Sequence, residues 1–290
     1  EMDFAGMSEA KLLFPEFRKS RIRSAVVGAL AVASLAFVGA CSADTELPYE
    51  ERPVEQIYNN AMDLLAEGSY QKAAVEFDEV ERQHPYSVWA RRATLMSAYA
   101  NYKVNDYDNA ILASQRFISL HPGSKEVAYA YYLVALCYYE QISDVGRDQK
   151  MTEDALSSLT SLITRFPQSE YARDARLKFD LTRDHLAGKE MEIGRYYLLR
   201  HDYIAAINRF RNVLISYQTT THTPEALHRL VECYLLLGIK QEAQTAAAIL
   251  GYNYPGSDWY ENSYALLTEQ GLEPHEDKNS WISKAWKSVF

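Results

Sequence analysis

The sequence predicts an all-α fold, an α-solenoid of about five stacked helical hairpins. Three observations predict it. An aromatic-Pro-x-Ser string recurs along the chain. An Ala stands twelve residues before each copy of its Pro position. Apolar residues then follow each Ala at offsets that share one face of a helix. Composition agrees. Tyr is abundant at 22 of 290 residues, whereas Gly and Pro number only 12 and 9, too few for the turns of a large all-β fold.

The front of the chain carries an address. Residues 18–23 read Arg-Lys-Ser-Arg-Ile-Arg, and a small, apolar run from Ser24 to Val38 follows. A charged cluster, a short apolar stretch and small residues at a cut site make a secretory signal over 18–40. The run is too short and Ala-rich for a membrane span. It closes on Val38-Gly39-Ala40-Cys41, which resembles the bacterial lipobox. That resemblance implies cleavage before Cys41 and lipidation of its sulfur and new amino group. Each buried CH₂ contributes about 0.8 kcal/mol, so three acyl chains would hold to a membrane where a single one is marginal. Ser42, in place of an Asp, favours export to the outer membrane. Residues 1–17 precede the basic cluster and are expected to be an upstream extension without function, with Met7 as an alternative start. Residues 41–53 hold Pro48 and Pro53 among acidic residues and no apolar period, and read as an extended, lipidated tether.

The repeats occupy 54–270. The Pro strings are His84-Pro85-Tyr86-Ser87, His121-Pro122-Gly123-Ser124, Phe166-Pro167-Gln168-Ser169 and Tyr254-Pro255-Gly256-Ser257. Their Ala partners are Ala73, Ala110, Ala155 and Ala243, and the same offset from Ala206 lands on a degenerate copy around Tyr217-Gln218. Four residues after each Ala stand Phe77, Ser114, Leu159, Phe210 and Ala247; seven after it stand Val80, Phe117, Leu162, Val213 and Leu250. Offsets of 0, 4 and 7 make one helical face. Short turns precede the Ala at Gly68-Ser69-Tyr70, Asn105-Asp106-Tyr107, His201-Asp202-Tyr203 and Gly238-Ile239-Lys240. Twelve residues before it, small side chains at Ala61, Ala98 and Gly194, with Val231, permit a first helix to pack closely. The Pro ends each second helix by removing a donor and biasing the preceding residue away from α. The Ser or Thr two residues on is expected to cap the next helix. The Ala spacings of 37, 45, 51 and 37 place an insertion in the third repeat's turn, around Ser143–Asp148, and a longer first helix in the fourth, between Tyr171 and Arg200.

The tail, 271–290, opens on a loop with Pro274. Trp281, Ile282, Ala285, Trp286 and Val289 then share one face of a short amphipathic helix. It is either a partner or membrane contact or a cap folded on the last repeat, the simpler reading.

Charge and motifs limit the function. The first 40 residues carry five basic and four acidic side chains, so the remaining 250 carry 25 basic and 35 acidic. Nothing resembles a basic stripe for phosphates, and no nucleic-acid partner is expected. There is no G-x-S-x-G, H-E-x-x-H or P-loop, so the chain reads as no enzyme. His84 and His121 share a register with Phe166 and Tyr254 and are read as packing residues. No Cys/His spacing suits a metal, and no cofactor is expected. A Cys137–Cys233 disulfide is open in an oxidising compartment; two buried thiols are the simpler alternative. Asp144, Arg147 and Asp148 cluster in the inserted turn, as a partner-binding or solvated loop rather than a catalytic group. Among the aromatics, Tyr131 and Tyr138 are seven apart, as are Tyr132 and Tyr139, so each pair shares a face. One face is core; the other lines a groove, unless all pack between repeats.

The pattern of small residue, turn, Ala, large apolar residue and Pro resembles the tetratricopeptide repeat, whose grooves bind extended or helical peptides. A narrower resemblance lies in Tyr99-Ala100-Asn101-Tyr102-Lys103, Arg116-Phe117-Ile118-Ser119-Leu120-His121-Pro122, Tyr129-Ala130-Tyr131-Tyr132, Arg147-Asp148-Gln149 and Tyr196-Tyr197. With the lipobox and the long third turn, these strings are similar to the BamD family of outer-membrane protein assembly lipoproteins. The lost Pro of the fourth repeat and the Trp-bearing tail depart from the family pattern. The resemblance implies a scaffold at the periplasmic face of the cell outer membrane, within the β-barrel assembly complex. Its C-terminal repeats would dock on the POTRA region of a BamA-type barrel subunit, with other assembly-complex lipoproteins beside it. Arg209 would pair with an acidic residue of that subunit through its fixed fork of donors. The N-terminal repeats would receive targeting signals of unfolded outer-membrane proteins in a groove of Tyr58, Tyr99, Tyr102, Tyr131 and Tyr132. The alternative is a tetratricopeptide lipoprotein that organises envelope or cell-wall enzymes.

Overall fold

In the computed structural model residues 51–288 are described. The leader at 18–40, the upstream stretch 1–17, Cys41 and Val289 lie outside the described residues, as does the tether up to residue 50. The described residues form twelve helices: α1 (Val54–Ala66), α2 (Tyr70–Gln83), α3 (Val88–Lys103), α4 (Tyr107–Leu120), α5 (Val127–Tyr139), α6 (Lys150–Arg165), α7 (Glu170–Leu199), α8 (Tyr203–Ser216), α9 (Thr223–Leu236), α10 (Lys240–Asn253), α11 (Asp258–Glu269) and α12 (Trp281–Lys287).

The repeat register accounts for the packing. The side chains at offsets 0, 4 and 7 are all at most 1 % exposed, from Ala73, Phe77 and Val80 to Ala243, Ala247 and Leu250. Fully burying a Phe, Leu or Val contributes about 1.5–3 kcal/mol, so each second helix is held by this face. Successive helices pair as five hairpins, α1–α2 to α9–α10, and each second helix also packs on the first helix of the next hairpin. First helices of neighbouring hairpins approach one another in the first four repeats, whereas second helices are not in close contact among the described residues. The first helices therefore form one wall and the second helices the other. Helix α11 packs on α9 and α10 as the first helix of a sixth hairpin would.

Four of the five turns within hairpins share one geometry. Gly68, Asn105, His201 and Gly238 take φ between 61° and 80°, and the next residue donates back across the turn, as Asp106 N does to Asn101 O at 3.0 Å. This left-handed residue with its long return bond closes the first helix. Asp106 and Asp202 then cap the second helix by accepting from Asn109 N and Ala205 N.

The turns between hairpins follow the expected capping in three places. Ser87, Ser169 and Ser257 accept from Ala90 N, Ala172 N and Tyr260 N. Ser124 and Thr220 do not cap. The next helix starts later there, and Ser124 bonds the Glu126 carboxylate while Thr220 donates to Tyr217 O at 2.7 Å. The aromatic or His before each Pro, and before Gln218 in the fourth repeat, is turned out of the helix, its N–H bonded back to Val80, Phe117, Leu162, Val213 or Leu250. His84 adds a ring contact of 2.7 Å to Arg52 O, and Arg52 bonds Gln83 and Glu76. The last residues of the expected tether are thus fastened to the end of α2.

The two departures in repeat length fit each other. The inserted turn, 140–149, leans on the long helix α7: a Cβ on Gly188 would meet Val145 at 3.6 Å. Helix α7 joins two cores. Ala175 packs with the third repeat, whereas Ala187 and Met191 belong to the largest cluster, shared by repeats four and five. The tail helix α12 lies on α8 and α10 with Ile282 buried, as a cap. Cys137 and Cys233 are free and buried, in separate clusters. Among the described residues, no helix is long and apolar enough to cross a membrane.

Candidate partner-binding surfaces

A ladder of aromatic side chains runs along the wall of first helices. Tyr99 and Tyr102 on α3 lie three residues apart, as do Tyr129 and Tyr132 on α5, so each pair stands on one face. Helix α7 opens with Tyr171, whose ring lies 5.3 Å from Tyr129 and stacks at 5.2 Å on Tyr132. Tyr132 donates to Asp174 at 2.6 Å. That bond is the main reason the Asp174 carboxyl is held below its ordinary value. Burial pushes the Tyr129 and Tyr132 phenols well above theirs, and in Tyr132 the Asp174 bond adds to it. The ladder therefore keeps its Tyr129 and Tyr132 hydroxyls protonated beside the Asp174 carboxylate. It offers half-buried rings and hydroxyls, which suit peptide contacts without sequence-specific charge.

Of the other two expected groove residues, Tyr131 turns elsewhere and Tyr58 keeps a contact along the first helices. Tyr131 lies 5.4 Å from Phe166 and beneath Arg165, on the side of α5 that meets α6. Tyr58 on α1 packs against Phe77 of the first repeat's core at 5.6 Å and reaches Trp89 of the next first helix, α3, at 4.8 Å, as Tyr132 reaches Tyr171. Sequence reasoning missed Tyr129, Tyr171 and Asp174. The three-residue spacing of Tyr129 and Tyr132 was a usable signal; the meeting with Tyr171 depends on how α5 and α7 cross.

The inserted turn is shaped by a buried Gln149, whose amide donates to the carbonyls of Asp144, Val145 and Arg147 at 3.0–3.4 Å. Asp144 accepts from Gly146 N at 2.8 Å. Asp144, Arg147 and Asp148 are exposed. Among the described residues, no group of three or more His, Cys, Asp or Glu is placed to hold a metal ion.

Arg209 projects from α8 and pairs with Glu190 of α7 at 3.4 Å, with 38 % of its side chain exposed. Asn212 reaches the same carboxylate at 3.3 Å. With Asn208, Arg211 and Ile215, they line an open pocket of about 590 Å³. Arg211 also lies 4.8 Å over Trp281, so the tail helix borders this pocket. The inserted turn contacts α7 at Gly188, whereas Arg209 contacts it at Glu190. Two residues along a helix is about 200°, so the two groups lie on opposite faces of α7 and form two surfaces.

Helical hairpins in tetratricopeptide register, with an aromatic wall on the first helices and a polar pocket along α8, define a repeat scaffold. The chain belongs to the BamD family. Residues 50–249 match the family of outer membrane lipoproteins called YfiO. It is 52 % identical over 247 residues to the outer membrane protein assembly factor BamD of Caulobacter vibrioides, covering 84 % of this chain and 81 % of that one. The BamD of Rickettsia prowazekii is 46 % identical over 79 % of this chain and 92 % of its own. That of Neisseria meningitidis serogroup A is 33 % identical over 81 % and 91 %.

Proposed function

We propose that this chain is a lipid-anchored scaffold of the outer-membrane β-barrel assembly complex, held through Cys41 at the periplasmic face of the outer membrane. Its first-helix wall receives targeting segments of unfolded outer-membrane proteins. Its C-terminal repeats dock on the POTRA region of a BamA-type subunit through Arg209, and the inserted turn with Asp144, Arg147 and Asp148 offers a second contact to that subunit or to an accessory lipoprotein. Family membership supports the outline. The observation that carries the assignment of surfaces is the tyrosine ladder, continuous from Tyr129 and Tyr132 to Tyr171 and Asp174 across two repeats. Arg209 supports the docking role because its internal partner is loose: at 3.4 Å and partly exposed, the Glu190 pair contributes about 0–1 kcal/mol and can be exchanged for an outside carboxylate.

Affinity purification from detergent-solubilised outer membrane tests the reading. A barrel subunit should co-purify with the native chain, and recovery should fall about tenfold or more with Arg209→Glu, the scale of a lost interfacial charge pair. Recovery of cell-wall enzymes without a barrel subunit would sink the proposal in favour of an envelope-enzyme scaffold. Cys41→Ser should abolish acyl labelling and release the chain from the membrane fraction; unchanged fractionation would remove the anchor.

A further inference from the structure

The tyrosine ladder runs into a pocket built by both length departures of the array. Helix α7 presents Asp174, Lys178, Leu181 and His185 in one stripe, at spacings of three or four. Asp174 meets Tyr132, and Lys178 lies 5.4 Å over Tyr139. Beyond Tyr139 helix α5 ends, and the inserted turn takes over the opposite wall. Tyr139, Glu140, Ile142 and Asp144 there face Leu181 and His185 across about 490 Å³.

Three features give this pocket a chemistry. Leu181 is 52 % exposed, and Leu177, one turn before it, is 62 % exposed, so an aliphatic surface is left open. The Nε2 of His185 is buried with no hydrogen-bond partner among the described residues. Such a group costs free energy until something supplies a bond. Glu140 and Asp144 are the acidic side chains of the wall, and no Lys or Arg lines it. The neighbouring Lys178 is held 3.1 Å from Asp174.

We propose that this pocket is a specificity subsite of the first-helix groove that takes a Lys or Arg side chain of a bound, unfolded segment. The inference rests on the reading that this wall receives unfolded chains. The aliphatic stem lies along Leu181, Ile142 and Tyr139, as long cationic side chains cover apolar surface while keeping the head polar. The head meets Glu140 and Asp144 and donates to His185 Nε2. A Glu or Asp in the same register meets two like charges and leaves the aliphatic wall uncovered.

Fluorescence anisotropy with the full-length chain in detergent tests it. The probes are two labelled peptides of one Tyr/Leu/Ser sequence, differing only in carrying Lys or Glu. The Lys peptide should bind about fivefold tighter or more, consistent with one or two partly exposed ion pairs. Glu140→Lys should erase the preference without loss of helicity, since Glu140 is exposed at the C-terminus of α5, where a cation is favourable. Leu181→Gln, at an exposed helical position, should weaken the Lys peptide more than the Glu peptide. Glu67→Lys, exposed at the end of α1, changes net charge equally and should leave the preference intact. Equal binding of both peptides, or an equal response to Glu67→Lys and Glu140→Lys, overturns the subsite. If binding is equal and Tyr132→Ala weakens both peptides, the groove reading survives alone; if neither peptide binds, both readings fall.

Discussion

Single positions show how one repeat frame tolerates different side chains. Twelve residues before the core Ala the frame carries Ala61, Ala98, Gly194 and Val231; four after it stand Phe77, Ser114, Phe210 and Ala247. Bulk at one position goes with smallness at the other in the fourth and fifth repeats. The contact explains it: a Cβ on Gly194 would lie 2.4 Å from Phe210, a fully buried ring. Gly194→Ala should therefore cost about 1–3 kcal/mol by overpacking, read as a lower urea midpoint. Gly251→Ala meets Tyr260 at a similar 2.4 Å, but that ring is half-buried and can swing, so its midpoint should fall less. Equal losses would show that the core around Phe210 yields as easily as the surface. The two thiols give a second test. Burial pushes Cys137 and Cys233 up to about 12. Since the thiolate is the reactive form, neither should react with a disulfide reagent in the native chain at pH 8, and both should react at once in denaturant.

Among elements, the hairpins were legible because local rules recur: a 0, 4, 7 face in all five, and a left-handed turn residue and a Pro stop in four each. The tail helix obeys none, and its two readings stayed open until its contacts were seen. Trp281 donates to the Tyr234 hydroxyl at 2.9 Å and lies under Arg211, and Gln218 Nε2 reaches Ala285 O at 2.8 Å. Trp281→Ala should cost about 2 kcal/mol or more, because a packed aromatic, a hydrogen bond and a cation–π contact go together. A thermal midpoint that does not move would show that the helix is an ornament of the fold. The missing caps at Ser124 and Thr220 were not legible, because two extra turn residues move each helix start past the reach of the hydroxyl without changing the local string.

At the scale of the molecule, the described array is a row of local contacts with one long connector. Among the described residues the first repeat's cluster has a neighbour on one side only, whereas repeats four and five share the largest cluster with α11 and α12. In a stacked array stability is a sum of hairpin and interface contributions, so an end with one interface opens first. Amide exchange should therefore be fastest in α1 and slowest in α8–α10. Equal protection of α1 and α9 would mean that the array unfolds as a single cooperative unit.

The sequence by itself determined the hairpins, their number and register, the places where the third and fourth repeats run long, and the residue types that could bind. Those follow from rules acting within about a dozen residues of chain, such as helix period, turn conformation and the effect of Pro. Only the tertiary structure decided which tyrosines share a wall. Tyr131 and Tyr132 are adjacent in sequence, yet about 100° of helix rotation sends one to Phe166 and the other to Tyr171 and Asp174. Which direction is core depends on the crossing of α5 with α6 and α7, and that crossing is set by packing among residues far apart in the chain. For the same reason the long turn and the long helix, read separately along the sequence, proved to be two walls of one pocket.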